Sequence, residues 1–320
     1  MKLTKKEAKK IAKDYNLGVV LSIKALHGGY VSYSFLLKTE KGKFVIHLYP
    51  KNYGPWHEKR TDLKFKVFEY LKKKKFPYEV PHAIKNNKGG YLSSVKGRKF
   101  WIYNFIEGEI KKEVTLKEFK EIAKALALYH NMIESLTEKD TAFFHHDWLI
   151  SEYEKFKKLN GNKKEVKIVQ ENSEYIINLL QKLKRIKYSK MILAHSDFNN
   201  GNMLFRNNKV YGIIDFNNIK MAPIPYDIGV AVFRIRYKVP KNKGDKEKMK
   251  IFLKAYEKIR PLKNREKELI FPCLLFENCG ALRWALTESE KYLKDMPQQI
   301  SILIKCIKYE DKQTNWERVR

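Results

Sequence analysis

Asp197, Asn202 and Asp215 are the residues of this chain whose types and spacing could do chemistry. The first two lie in His195-Ser-Asp-Phe-Asn-Asn-Gly-Asn-Met-Leu-Phe205, and the third ends Gly212-Ile-Ile-Asp215. Asp197 is placed to accept a proton from a hydroxyl or to orient it. Asn202, five residues on, can reach back over the same loop to a metal ion. Asp215 follows an apolar strand and can offer a carboxylate to Mg²⁺ from the other side. Phosphoryl transfer asks little more of a protein than one base or orienter, one Asn and one Asp as metal ligands. Taken singly, each residue reads as well as a turn residue bonding its local backbone. The complete set at this spacing favours phosphoryl transfer.

The elements that must position these residues are legible around them. Met203-Leu-Phe and Val210-Tyr-Gly-Ile-Ile flank a polar Arg206-Asn-Asn-Lys, the pattern of two short strands joined by a hairpin. Such a hairpin returns Asp215 toward Asp197 and Asn202. Near the start, Thr4 and Glu7 form the capping box of a first helix. Strands are expected over 19–26, 30–38 and 43–49, with turns at His27-Gly28-Gly29 and Glu40-Lys-Gly42. A helix over 62–75 carries Leu63, Val67, Phe68 and Leu71 at helical spacing, and a strand over 100–106 runs out at Glu107-Gly108. Beyond Gly108 the pattern is helical over 116–136, 148–187 (broken near Asn160-Gly161-Asn162), 249–259, 266–288 and 298–309. His130 falls on an apolar helix face and reads as a core histidine. His145-His146-Asp147 reads as loop packing more readily than as a metal site, because adjacent histidines diverge. The fold class is α+β with two lobes: a small antiparallel-sheet lobe over 1–103 and a mainly helical lobe over 104–320.

The motifs resemble those of the aminoglycoside phosphotransferase and choline kinase-like small-molecule kinases. The matching residues are His195-Ser196-Asp197-Phe198, Asn202-Met203-Leu204-Phe205, Ile213-Ile214-Asp215-Phe216 and Tyr226-Asp227-Ile228. Ser196 stands where the family usually has Gly, and Asn217 where it often has a second Asp. The resemblance implies a protein-kinase-like fold, ATP and Mg²⁺ as cofactors, and a small-molecule hydroxyl as acceptor. It makes Asp197 the catalytic base, Asn202 and Asp215 the metal ligands, and Asp227 a buried structural carboxylate. It also makes Gly28 and Gly29 a loop over the nucleotide phosphates, where paired glycines permit close backbone approach. Asn104 and Ile106 become the hinge facing the adenine. The strand position that generally carries a phosphate-gripping Lys or Arg holds His47 here. An ordinary histidine there would strengthen ATP binding as pH falls toward about 6. Lys64, on the following helix, is the other source of positive charge. Late helices resemble those of homoserine kinase-like members, which makes Glu277, Asn278, Arg283 and Trp284 candidate substrate contacts.

Composition narrows the alternatives. The 320 residues suffice for two lobes, and 43% apolar content is that of a globular protein. No apolar run of membrane-crossing length or amino-terminal signal pattern stands out, so a cytoplasmic location is expected. Cys273, Cys279 and Cys306 have neither metal nor disulfide spacing. The net charge of +30 would suit nucleic acid, but the Lys residues are spread along the chain and Arg is scarce. Specific nucleic-acid binding is therefore the weakest reading. The leading one is an ATP- and Mg²⁺-dependent kinase for a small amino alcohol such as homoserine, or for an aminoglycoside-like polyol. Its main competitor is a catalytically weak nucleotide-binding scaffold, prompted by His47.

Overall fold

The computed structural model describes residues 2–26, 32–51, 53–136, 138, 145–158, 164–188, 190–237, 245–287 and 298–319. The chain divides into two compact units, one comprising 1–112 with 201–219 and the other 113–200 with 220–320. The sequence boundary at 103/104 differs from this division in two stretches: 104–112 stay with the first unit, and 201–219 return to it.

The first unit is an antiparallel sheet of order β1-β2-β3-β5-β4. Its strands are β1 (Val20–Leu26), β2 (Tyr33–Thr39), β3 (Gly42–Leu48), β4 (Ser93–Val95) and β5 (Arg98–Asn104). Alternation puts Phe35 and Leu37 of β2 inward, where they join Ile46, Leu48, Phe100 and Ile102 in one core. Helix α1 (Lys5–Asp14) is started by the Thr4–Glu7 capping box and adds Ala8, Ile11 and Ala12 to that core. Helix α2 spans Pro55–Lys73, beginning seven residues before the expected 62. Pro55 opens it, at a position where a missing N–H costs nothing. Its apolar face buries Leu63, Val67, Phe68 and Leu71.

The returning segment 201–219 holds the hairpin of β7 (Met203–Arg206) and β8 (Lys209–Ile213). Asn207 and Asn208 form its two-residue turn, with φ of 50° and 58°. Two positive φ values match the right-handed twist of the flanking strands, and Asn tolerates them. Bridges from Glu79 to Gly212 and from Glu109 to Phe205 tie the hairpin into the first unit.

The second unit is mainly helical. It contains α3 (Leu116–Ile133), α4 (His146–Lys157), α5 (Lys164–Lys184), α6 (Ile224–Arg234) and α7 (Asp245–Tyr256). After these come α8 (Asn264–Glu268), α9 (Ile270–Thr287), α10 (Gln299–Gln313) and the short α11 (Trp316–Val319). Thr115 and Glu118 cap α3 reciprocally. Two short strands, β6 (Met191–Ala194) and β9 (Lys220–Pro223), pair antiparallel and bracket the stretch that leaves for the first unit. The segment Asn264–Thr287 is long and apolar enough to cross a membrane, contrary to the sequence expectation, and half of its most apolar window is buried. Cys273, Leu275, Cys279 and Leu282 of α9 are buried there, and α9 packs against α6 and α10.

Candidate active site

Strand β6 delivers His195, Ser196 and Asp197 at the start of a loop, and a buried carboxylate holds that loop in shape. Asp227, fully buried in the first turn of α6, accepts the His195 N–H at 2.8 Å and the Ser196 N–H at 2.7 Å. His130 lies 3.2 Å from the same carboxylate through Nε2 and 2.7 Å from the Tyr256 hydroxyl through Nδ1. The core histidine expected on α3 is thus wired to the loop's anchor. Burial alone would raise the Asp227 pKa, but the His130 hydrogen bond and charge, with the Ser196 N–H, hold it below the usual value. Ser196 sits at φ 65°, the left-handed region where glycine is comfortable. The common Gly of the motif is explained by this φ, and Ser tolerates it with its N–H fixed on Asp227. Asp227→Asn places an amide among donors that need an acceptor. We expect it to lower stability by about 3 kcal/mol, read as a shifted urea midpoint. An unchanged midpoint would remove Asp227 from that role.

Asp197 is itself oriented. Its Oδ1 accepts from Asn199 Nδ2 at 2.8 Å and from Arg234 at 2.9 Å. Arg234 ends α6, seven residues after Asp227 and so on nearly the same helix face. Its other amino group bonds Glu277 of α9, which also accepts from the Tyr226 hydroxyl and faces Lys220 at 3.6 Å. Burial favours the neutral form of Glu277, but Lys220 and Arg234 outweigh it and keep the carboxylate ionised. The fold therefore brings Glu277 beside the Asp197 loop through a residue, Arg234, that the motifs did not mark. The i, i+7 spacing from Asp227 was the available signal. Arg283 lies elsewhere on α9, donating to Glu152 of α4 at 3.0 Å with its guanidinium over Trp148. Trp284 is half-buried, and Asn278 donates to Glu310 at 2.6 Å. His146 packs its ring against Phe276, and Asp147 pairs with Lys184.

In the first unit, the hairpin carries the other two motif residues. The Ile214 N–H bonds the Asn202 carbonyl at 2.9 Å, so the chain closes Asp215 back onto the start of β7. Asp215 is exposed at φ 61° and caps a single turn of 3₁₀-helix over Phe216–Asn218. Its Oδ1 accepts from Asn217 through the backbone N–H at 3.3 Å and Nδ2 at 2.7 Å. Asn217 Oδ1 in turn accepts from Lys64 Nζ at 2.9 Å, and its Nδ2 lies 3.3 Å from His47 Nε2. Lys64 is 1% exposed on α2 and also donates to the Tyr49 hydroxyl at 2.7 Å. Burial pulls its pKa down to about 7, with Asp215 opposing. His47 is buried too, and burial with the Lys64 charge takes its pKa to about 3. The histidine is neutral throughout the physiological range, so a pH-dependent charge at position 47 near pH 6 is not what this environment supports.

The remaining sequence candidates fall as follows. Asn104 ends β5, and Phe105 N–H continues the pairing to the Lys43 carbonyl at 2.9 Å before the strand runs out through Ile106. Gly108 follows because a Cβ there would meet Leu204 Cβ at 2.8 Å. Gly28 and Gly29 lie outside the described residues.

The antiparallel sheet, the helical remainder and a loop-and-hairpin carrying Asp197, Asn202 and Asp215 define a kinase-like phosphotransferase architecture. Residues 22–262 match the model of the phosphotransferase enzyme family, and the chain belongs to that family. It is a small-molecule kinase. Homoserine kinase of Bartonella tribocorum is 26% identical over 300 residues, covering 90% of this chain and 86% of that protein. Homoserine kinase of Phenylobacterium zucineum is 25% identical over 294 residues, covering 89% and 84%. Among solved structures, an amicoumacin kinase in complex with AMP-PNP, Ca²⁺ and Ami aligns with a TM-score of 0.70 at 16% identity, covering 98% of this chain and 96% of that one. A microcompartment-associated aminopropanol kinase aligns with a TM-score of 0.67 at 14% identity, covering 98% of both chains.

Proposed function

We propose that this protein moves the γ-phosphoryl group of ATP to the hydroxyl of a small amino alcohol, with homoserine the foremost acceptor and Mg²⁺ as cofactor. The observation that carries the reading is the Asp197 carboxylate, held on a loop that Asp227 anchors and turned by Arg234 and Asn199. A carboxylate fixed in this way can take the proton of an attacking hydroxyl without reorganising. Asn202 and Asp215 offer hard oxygen donors of the kind Mg²⁺ takes alongside phosphate oxygens and water. When bound, the ion would screen the phosphate charge during transfer. Lobe 1–103 takes the nucleotide, with Asn104 and Ile106 at the adenine edge. Lobe 104–320 takes the acceptor. Nucleotide use is supported by neighbours solved with AMP-PNP, ADP and GDP.

The choice of homoserine over an aminoglycoside rests on charge near Asp197. That cluster holds Arg234 and Lys220 as well as Glu277. The cluster balances these two cations against the carboxylates of Glu277 and Asp197, and an amino acid alcohol brings both a carboxylate for the first and an ammonium for the second. The homoserine kinases among the relatives support the same choice. Arg283 and Trp284 remain candidate acceptor contacts on α9. The test is phosphate transfer by the purified protein from Mg-ATP to a panel of homoserine, aminopropanol and aminoglycosides. Homoserine should give the highest kcat/KM. Preference for an aminoglycoside would overturn the acceptor assignment. Nucleotide binding with no transfer to any alcohol would favour the scaffold reading.

A further inference from the structure

Lys64 is a buried lysine whose hydrogen-bond partners among the described residues include no carboxylate; Asp215 acts on it only across an intervening amide. Among the described residues its polar partners are a phenol, Tyr49, and an amide, Asn217. The rest of its surroundings is aromatic, with Nζ 4.6 Å from the Trp101 ring centroid and 5.0 Å from that of Tyr49. An ammonium has three N–H donors, and these two oxygens occupy two of them. Burying such a group without a counter-charge is costly, and folds seldom retain one that serves only packing. The cost is tolerable where an anion completes the site.

The surroundings say where that anion would come from. Lys64 is one amide away from Asp215: Asn217 takes its hydrogen bond on Oδ1 and passes Nδ2 to the exposed Asp215 carboxylate. The neighbouring His47 cannot supply the charge. Its Nε2 faces Asn217 Nδ2 and its Nδ1 faces the Ser34 hydroxyl at 3.3 Å. Nε2 accepts from the amide, which leaves the proton on Nδ1 and the ring neutral. The strand position is thus polar but uncharged, and the helix opposite it carries the cation.

We propose that Lys64, reaching from α2 and held by Asn217, is the residue that grips the nucleotide phosphates in this kinase. The proposal rests on the nucleotide-dependent reading above. Phosphate oxygens would provide both the missing counter-charge and an acceptor for the third N–H. The titratable and charged groups facing Lys64 are His47 on β3, Tyr49 just past its end, and Asp215 beyond β8. Burial lowers the Lys64 pKa to about 7 and the His47 pKa to about 3.

The experiment is calorimetric titration of the full chain with AMP-PNP and Mg²⁺ at pH 6.5 and 8.5, on wild type, Lys64→Met, Lys64→Arg and His47→Ala, with thermal melts of each. Lys64→Met should weaken binding about 10- to 100-fold at pH 6.5, the range of one or two charge-assisted hydrogen bonds. Its melting temperature should stay the same or rise, since an uncompensated buried charge has been replaced by an apolar chain. A lysine that served only the fold would show the reverse, a lower melting temperature with affinity kept. Wild type and His47→Ala should bind more weakly at pH 8.5 than at 6.5, as Lys64 loses its proton. Lys64→Arg should keep part of the affinity and lose the pH dependence. Wild-type affinity retained in Lys64→Met overturns the proposal alone. A wild type that binds no nucleotide overturns the functional reading as well.

Discussion

Asp197→Asn should lower turnover by on the order of 10²-fold or more and leave nucleotide affinity and stability near wild type. Asn is nearly isosteric with Asp. Its Oδ1 can still accept from Arg234 and Asn199, the two donors that fix the native carboxylate. The loop therefore keeps its shape, because its anchor is Asp227 and not Asp197. What disappears is the carboxylate proposed to take the hydroxyl proton. The measurement is kcat with saturating Mg-ATP and homoserine, together with AMP-PNP affinity and a urea melt of the same variant. Turnover within a few-fold of wild type would place the base elsewhere. A collapse in stability would instead mean that the Asp197–Arg234–Glu277 cluster supports the fold of α6 and α9.

Substituting Asp215 should remove the Mg²⁺ dependence of nucleotide binding. Two variants separate charge from backbone. Asp215→Asn keeps a residue type that tolerates φ 61° and can still accept from Asn217. Asp215→Ala loses both properties and puts a Cβ with no compensating hydrogen bond in a left-handed conformation, at a cost of about 1 kcal/mol. In wild type, calorimetry with and without Mg²⁺ should show tighter AMP-PNP binding when the metal is present. Both variants should show one affinity in either condition, with Asp215→Asn as stable as wild type. Equal Mg²⁺ enhancement in wild type and Asp215→Asn would take Asp215 out of the metal site.

How much of this was legible in the sequence varies with the range of the interaction. The hairpin could be read because its signals are local: apolar strands on either side of Asn207-Asn208, two residues suited to positive φ. The capping boxes at Thr4 and Thr115 are equally local signals. The start of α2 is not legible in the sequence because its first turns lack the apolar spacing that marks 62–75. Strands β6 and β9 went unread because they are four residues each and pair across a gap that the chain spends in the other unit.

The same division holds for the chemistry. Residue type and spacing along one loop and hairpin pointed to the phosphotransferase class and to Asp197, Asn202 and Asp215 as its candidate residues, because five residues from Asp197 to Asn202 and a tight hairpin to Asp215 leave the backbone few arrangements. Tertiary structure alone decided the electrostatics around them. Arg234 reaches Asp197 across 37 positions, Lys64 reaches Asn217 across 153, and Asp227 reaches His195 across 32. It also buries His47 and Lys64, and burial lowers the first to about 3 and the second to about 7. A sequence states which groups can ionise. Whether they do depends on burial and on the charges packed against them, and those come from contacts between distant segments.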